Sequence, residues 1–291
     1  MRRFGFALLI LSVLALNAYA DIPILGSAGT FAVLGATTVT NTGATTLNGN
    51  LGVSPGSAIT DSGTITLNGT EYTPALPIPG NGVAALAQSN LTTAILALQG
   101  LAGSAYVLST SSYDAGNITL IPGIYSTGET FNLLNNDTLT LDAKGTNNAF
   151  VFLVGSSLTT NTGSKVQLIN AGANGNDVYW VEKASASLLG SFFVGNILAH
   201  TSITMGDAVD ITCGSALANT GDVTMIHDTI SKGCTGGVTI TPSGGGNVLV
   251  GGGGITPSSV NVPEGGSTLL YLCFFLAPLG AAHAFRRRRS V

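Results

Sequence analysis

Between Asp21 and Val262 the chain offers thirteen carboxylates, four lysines, two histidines and two cysteines for acid–base, metal or thiol chemistry, and no arginine. Asp207 with Asp210, and Asp137 with Asp142, are the kind of pair that glycosidases and Ca2+-dependent lyases use. Neither has a basic partner that would complete such a site, and acidic residues in turns are ordinarily solvated, so no catalytic residue is assigned. His200 and His227 lack a third ligand at metal-site spacing, and His200, beside Thr201 in a strand pattern, reads as structural. No metal, no cofactor and no enzymatic activity are expected.

The chemistry that does recur is the hydroxyl. Six segments share one grammar, an apolar strand and then small polar residues around a single apolar one. Ala32-Val33-Leu34 precedes Thr37-Thr38-Val39-Thr40, and Gly123-Ile124-Tyr125 precedes Thr127-Gly128-Glu129-Thr130. Val151-Phe152-Leu153 precedes Ser156-Ser157-Leu158-Thr159, and Val178-Tyr179-Trp180 precedes Ala184-Ser185-Ala186-Ser187. Ile197-Leu198-Ala199 leads to Thr201-Ser202-Ile203-Thr204, and Ala216-Leu217-Ala218 to Thr220-Gly221-Asp222-Val223-Thr224.

Side chains alternate across a strand. With Val39, Leu158, Ala186, Ile203 and Val223 inward, the outward positions are Thr38, Thr40, Thr130, Ser157, Thr159, Ser185, Ser187, Ser202, Thr204, Asp222 and Thr224. The hydroxyls that open units, Thr37, Thr127, Thr201 and Thr220, fall at corners and are counted with them. Glu129 breaks the inward pattern. Stacked strands repeat about every 4.8 Å, and threonine is stiff at χ1, so a column of threonines fixes hydroxyls and methyls in one plane. Such a plane holds ordered water by hydrogen bonds while burying methyl area; a planar crystal of water is a ligand of matching periodicity.

Units of this size cannot bury an apolar face alone and must stack. Their starts at 156, 184, 201 and 220 are separated by 28, 17 and 19 residues, so the expected fold is mainly β, an irregular β-solenoid. Val83, Leu86, Ala87, Leu91, Ala94, Ile95 and Leu98 recur at three- and four-residue spacing, which predicts one long α-helix over about 83–101, packed alongside by its apolar face. The gap between the units at 37 and 127 is read as that helix and its loops, with Thr66 in the connecting region. TNTGATTLN at 40 to 48 echoes TNTGSKVQL at 160 to 168.

The ends are modular. Met1-Arg2-Arg3, an apolar run from Phe4 to Leu16 and Ala18-Tyr19-Ala20 form a secretory signal over 1–20, too short to span a bilayer. At the other end Val262-Pro263-Glu264-Gly265-Gly266-Ser267 leads into an apolar stretch, Thr268 to Phe285, capped by four arginines. Residues 262–291 read either as a transmembrane stop-transfer helix or as a cell-surface sorting signal. The short motif resembles the Val-Pro-Glu/Asp tails that a membrane transpeptidase-like sorting enzyme removes, with Gly265 a departure from the common Pro-Glu-Pro form. Residues 236–261 form a Gly/Ser/Thr-rich linker, leaving 21–235 as the solenoid domain.

Export to the periplasm, outer surface or exterior follows, with transient membrane anchoring by the tail. In that oxidising setting Cys213 and Cys234 are expected to form a disulfide, two buried thiols being the alternative. The middle carries 4 − 13 = −9 charges, which makes nucleic acid and anionic lipid poor partners.

The sequence also resembles a known family. LGSAGTFAVLGATTVT near the start, GNLGVSPG at 49 to 56, LTTAILAL at 91 to 98, LIPGIY at 120 to 125, and FVGNILAHTSITM followed by GSALANTGDVTM are similar to bacterial and fungal ice-binding proteins. The resemblance implies a discontinuous right-handed β-helix with one flanking α-helix, whose flat face bearing Thr-Ala/Gly-X-Thr/Asn units adsorbs to ice. TGET at 127 to 130 and TGAT at 42 to 45 match that unit, the second lying outside the hydroxyl column. The expected partner is therefore an ice surface with its ordered water, bound by a monomer as an antifreeze or recrystallisation inhibitor. A surface adhesin or structural solenoid without ice activity is the alternative, and a polysaccharide-acting enzyme a more remote one.

Overall fold

The computed structural model describes residues 22–74, 81–172 and 177–232, with the strands Thr239–Ser243, Asn247–Val250 and Val260–Asn261. Residues 1–20 and 262–291, expected to be a secretory signal and a sorting tail, lie outside them, as does Cys234. Parallel strands wind into a three-faced β-solenoid flanked by one α-helix.

One face is an open sheet of eight parallel strands, ordered Tyr113–Ala115, Phe131–Leu133, Leu158–Thr160, Ala186–Leu188, Ile203–Asp207, Val223–Ile226, Thr38–Thr42 and Ala58–Asp61. A second face, built from strands such as Gly123–Thr127, Phe150–Val154 and Val178–Glu182, lies under the helix. The third runs through Thr138–Asp142, Lys165–Ile169, Thr229–Ser231, Ala44–Asn48 and Thr64–Leu67. Two long strands, Phe192–Ala199 and Asp210–Ala218, turn the corner between the third and the helix-covered face without a loop. The turn occurs at Gly195, whose φ of +114° suits glycine, and in the next rung at Cys213, whose φ is +53°.

The order is discontinuous, because the first turn of the chain sits beside the last. Val223 pairs with Val39 and Thr229 with Thr46, so the N-terminal turns extend the stack beyond the C-terminal ones. The chain must then return to the other end to begin the remaining rungs, and the helix Asn81–Gln99 makes that crossing. Nineteen residues at 1.5 Å span about 28 Å, against about 34 Å for seven inter-strand spacings. The 3-10 turn Gly100–Ser104 continues it to the strand Tyr106–Ser109. Between the units at 37 and 127 the structure therefore holds more than a helix: the strands from Asn50 to Tyr72 complete a second solenoid turn, and those from Tyr106 to Leu120 open the other end. Thr66, expected in a connecting region, stands in the third-face strand Thr64–Leu67.

Two apolar layers hold these elements. Inside the solenoid Tyr125, Phe152 and Trp180 are in register, with ring centroids 5.4 Å and 3.9 Å apart, and Trp180 Nε1 donates to Val194 O at 3.1 Å. Outside, Ala84, Ala87, Leu91, Ala94, Ile95 and Leu98 of the helix pack on Val151, Leu153, Tyr179, Val181, Leu198 and Leu217. Each fully buried leucine or isoleucine there contributes about 2 kcal/mol, and the alanines allow the close approach. Leu86, expected on this face, is 57 % exposed, and Ala84 takes its place. Gln88 Nε2 donates to Ala218 O at 3.0 Å and Thr92 Oγ1 to Asn219 Oδ1 at 2.8 Å, tying the helix to one corner.

Where the helix-covered strands turn into the open sheet, backbones stack too closely for side chains. A Cβ on Gly128 would lie 2.0 Å from Thr110 O, and one on Gly155 would lie 2.0 Å from Gly128 O. Glycine is the residue that fits. The segment expected to be linker contributes three antiparallel strands, of which Thr239–Ser243 pairs with Ile22–Pro23.

Candidate functional site

The open sheet carries the hydroxyl columns. Inward along one line point Tyr113, Phe131, Leu158, Ala186, Ile203, Val223, Val39 and Ile59. One residue further on, the outward line reads Asp114, Asn132, Thr159, Ser187, Thr204, Thr224, Thr40 and Thr60. The parallel line one residue before the inward one comprises Thr130, Ser157, Ser185, Ser202, Asp222 and Thr38. Hydrogen bonds such as Phe131 N to Ser157 O and Ile203 N to Asp222 O set its register. Spacings of about 4.8 Å between strands and about 6.8 Å along them make a shallow rectangular grid.

Six consecutive rungs of the first line, from Thr159 to Thr60, present only threonine or serine. Within the described residues the side chains of Thr159, Ser187, Thr204, Thr40 and Thr60 make no hydrogen bond, and Thr224 alone of the six donates within the face, to Asp222 Oδ2 at 3.3 Å. These short side chains leave hydroxyls facing solvent beside methyls. The third face offers no such plane: its corresponding line is Thr138, Lys165, Phe192, Asp210, Thr229, Thr46 and Thr66, mixing long, aromatic and charged side chains. The adjacent line on that face is linked internally, Gln167 Nε2 to Thr140 Oγ1 at 3.0 Å and Asn68 Nδ2 to Asn48 Oδ1 at 2.7 Å.

The sequence-predicted residues divide as follows. Thr38, Thr40, Thr130, Ser157, Thr159, Ser185, Ser187, Ser202, Thr204, Asp222 and Thr224 all lie on the open sheet or the turn leading into it. Thr37, Thr201 and Thr220 are exposed on that turn, where Thr220 Oγ1 donates to His200 O at 2.6 Å.

Thr127 does not belong with them. It ends the helix-covered strand, is only 6 % exposed, and donates through Oγ1 to Glu129 O at 3.0 Å. The alignment of its unit was two residues early: Phe131, not Glu129, matches Leu158, and Glu129 is exposed in the turn. The anomaly of an inward glutamate disappears with that correction. TGAT at 42 to 45 turns the corner between the open and third faces, with Thr42 exposed and Thr45 buried, donating to Asn41 Oδ1 at 2.7 Å.

Sequence reasoning missed Thr60, Asn132 and Asp114. The signal for Thr60 was present: Ile59-Thr60-Asp61-Ser62-Gly63-Thr64 repeats Val39-Thr40-Asn41-Thr42-Gly43-Ala44 at a spacing of 20. Asn132 Nδ2 donates to Asp114 Oδ1 at 2.8 Å, so that end of the grid is amide and carboxylate instead of hydroxyl.

His227 Nδ1 lies 2.8 Å from Asp207 Oδ1, both exposed, with the imidazole over Gly43. Among the described residues no three His, Cys, Asp or Glu side chains are grouped to hold a metal ion. No described helix is long and apolar enough to cross a membrane. Glu182 is buried in the corner between the helix-covered and open faces, both carboxylate oxygens without a partner, and desolvation raises its pKa from 4.5 to about 8.

Comparison with known proteins agrees with this geometry. Residues 33–231 match the family model described as ice-binding-like. An ice-binding protein of Nostoc sp. (strain HG1) is 39 % identical over 234 residues, covering 78 % of this chain and 82 % of the relative. An ice-binding protein of Flavobacterium frigoris (strain PS1) is 30 % identical over 220 residues, covering 72 % and 76 %. The crystal structure of an ice-binding protein from an Antarctic biological consortium superposes with a TM-score of 0.61 at 35 % identity, covering 75 % of this chain and 95 % of that one. Solenoid, flanking helix and hydroxyl sheet together with these matches show that the chain belongs to the ice-binding-like family.

Proposed function

We propose that the protein adsorbs to ice through the open eight-stranded face and acts as an antifreeze or recrystallisation inhibitor. The observation that carries this is the run of six threonine and serine rungs with outward hydroxyls, five of them unpartnered within the described residues. Water bridged to a fixed row of hydroxyls is held almost as well as by direct contact, and the methyls between them gain from leaving liquid water. Nothing in the grid needs a metal. The test is thermal hysteresis and ice-crystal shape with purified mature protein, with and without chelator. A hysteresis gap with faceted crystals, unchanged by chelator, is expected. Crystals that grow as in buffer would overturn the proposal, and activity lost to chelator but restored by Ca2+ would overturn the metal-free mechanism.

The mature protein is secreted as a monomer, its tail being a substrate of a sorting enzyme or a membrane anchor; the signal-like first 20 residues and the Val262-Pro263-Glu264 motif support this reading. Cys213 pairs with Cys234 and secures the chain just beyond the final strand of the C-terminal stack, supported by the disulfide-bonded state of Cys213. A loop of this length is worth roughly 3 kcal/mol in the chain-entropy model. Mass spectrometry of protein recovered from the periplasm should find no free thiol at either position; two alkylatable cysteines would exclude the bridge.

A further inference from the structure

Most hydroxyls of the open face are free to rotate, but a diagonal across its middle is not. Ser202 Oγ donates to Asp222 Oδ1 at 2.6 Å and Thr224 Oγ1 donates to Asp222 Oδ2 at 3.3 Å. The Asp222 amide returns a hydrogen bond to Ser202 Oγ at 3.3 Å, and the Ser202 amide donates to Ser185 Oγ at 3.4 Å, so three neighbouring rungs are tied together. Room is kept for the arrangement: a Cβ on Gly221 would stand 2.3 Å from Ser202 Oγ. An ionised carboxylate only accepts. Ser202 and Thr224 therefore commit their protons to Asp222, and only lone pairs remain for water.

We infer that Asp222 is a positioning residue of the ice face, fixing the Ser202 and Thr224 hydroxyls as acceptors so that first-layer water at the centre is held with its hydrogens toward the protein. The inference rests on the ice-adsorption reading. Hydrogen bonds to a carboxylate are about twice as strong as neutral ones, so this diagonal holds its orientation while the surrounding hydroxyls turn. Thr204, Ser187 and Thr40 can each donate or accept, and they extend a layer whose polarity Asp222 has set. The contrary view makes Asp222 a blemish, a charge whose own hydration shell interrupts the array. The two views predict opposite signs.

The test compares the mature protein with Asp222→Thr, which restores the column's hydroxyl, and Asp222→Asn, which keeps the shape but makes one end of the side chain a donor. Both variants should lose thermal hysteresis, by roughly twofold or more, because each removes charge-assisted bonds that orient the two hydroxyls, while melting within ~2 °C of the parent. Because Asp222 acts through Ser202 and Thr224, Asp222→Thr should add little to the loss already caused by Ser202→Ala combined with Thr224→Val. Hysteresis equal to or above the parent's in Asp222→Thr, or losses that simply add, would overturn the inference while leaving ice adsorption intact. If Asp222→Thr melts early, the isosteric Asp222→Asn decides. A parent protein without ice activity would sink the underlying reading and this one with it.

Discussion

Thr204→Tyr should abolish most of the ice activity and leave the fold untouched. Thr204 is exposed, fifth of the eight rungs, between Ser187 and Thr224, and its hydroxyl has no partner among the described residues. A tyrosine there rises above a plane of two- and three-atom side chains and holds the ice front away from both neighbouring columns. Its backbone and the inward Ile203 beside it are unaffected, so the stability change should stay within about 0.5 kcal/mol, the usual range for surface substitutions. Thr66→Tyr is the control. Thr66 is likewise exposed on a solenoid strand, but on the third face, beside Thr46 at the end of the line that continues through Thr229, Asp210, Phe192 and Lys165. The two variants thus differ in the face they occupy and not in the element. Thermal hysteresis, circular dichroism and melting temperature should separate them. Equal activity in both would place adsorption elsewhere, and equal loss with early melting would indicate misfolding.

The second large effect is on stability as a function of pH. The folded-state pKa of Glu182 is raised, so its contribution is fully present below about 4.5, fades as pH rises and is gone above about 8. A shift from 4.5 to about 8 corresponds to on the order of 5 kcal/mol at 1.36 kcal/mol per unit. Asp228, buried beside His227 and raised from 3.8 to about 7 by desolvation, acts in the same direction over a lower window. The wild-type melting temperature should therefore fall from pH 5 to pH 9 by roughly 10 °C or more, at about 2–4 °C per kcal/mol for a domain of this size. Glu182→Gln keeps the shape without the ionisation. It should melt near wild type at pH 5 and well above it at pH 9, retaining the decline due to Asp228 below pH 7. Parallel wild-type and variant curves would show that Glu182 ionises as readily in the folded state as in the unfolded chain, and would overturn its raised pKa.

Much of this protein was legible because its signals are local. Period-two alternation around Val39, Leu158, Ala186, Ile203 and Val223 fixes which residues face out, whatever the strands pair with, and all ten of the outward residues read in this way share one sheet or its entry turn. The helix was legible for the same reason, from apolar recurrence at three and four residues. Where a unit lacked that rhythm the reading slipped: at TGET the strand begins at Phe131, and the buried Thr127 resembles the exposed corner hydroxyls in everything but position.

Only the tertiary structure decided which rungs are neighbours. Nothing local in Val39 says that it lies between Val223 and Ile59, because the discontinuity depends on a helix long enough to carry the chain back along the stack. The same is true of the open face. Which side of the solenoid the helix covers follows from its packing on Val151, Tyr179 and Leu217. That choice buries one sheet and leaves the hydroxyl grid clear, while the pairing of Ile203 with Val223 puts Asp222 within hydrogen-bond reach of Ser202, 20 residues away in the chain.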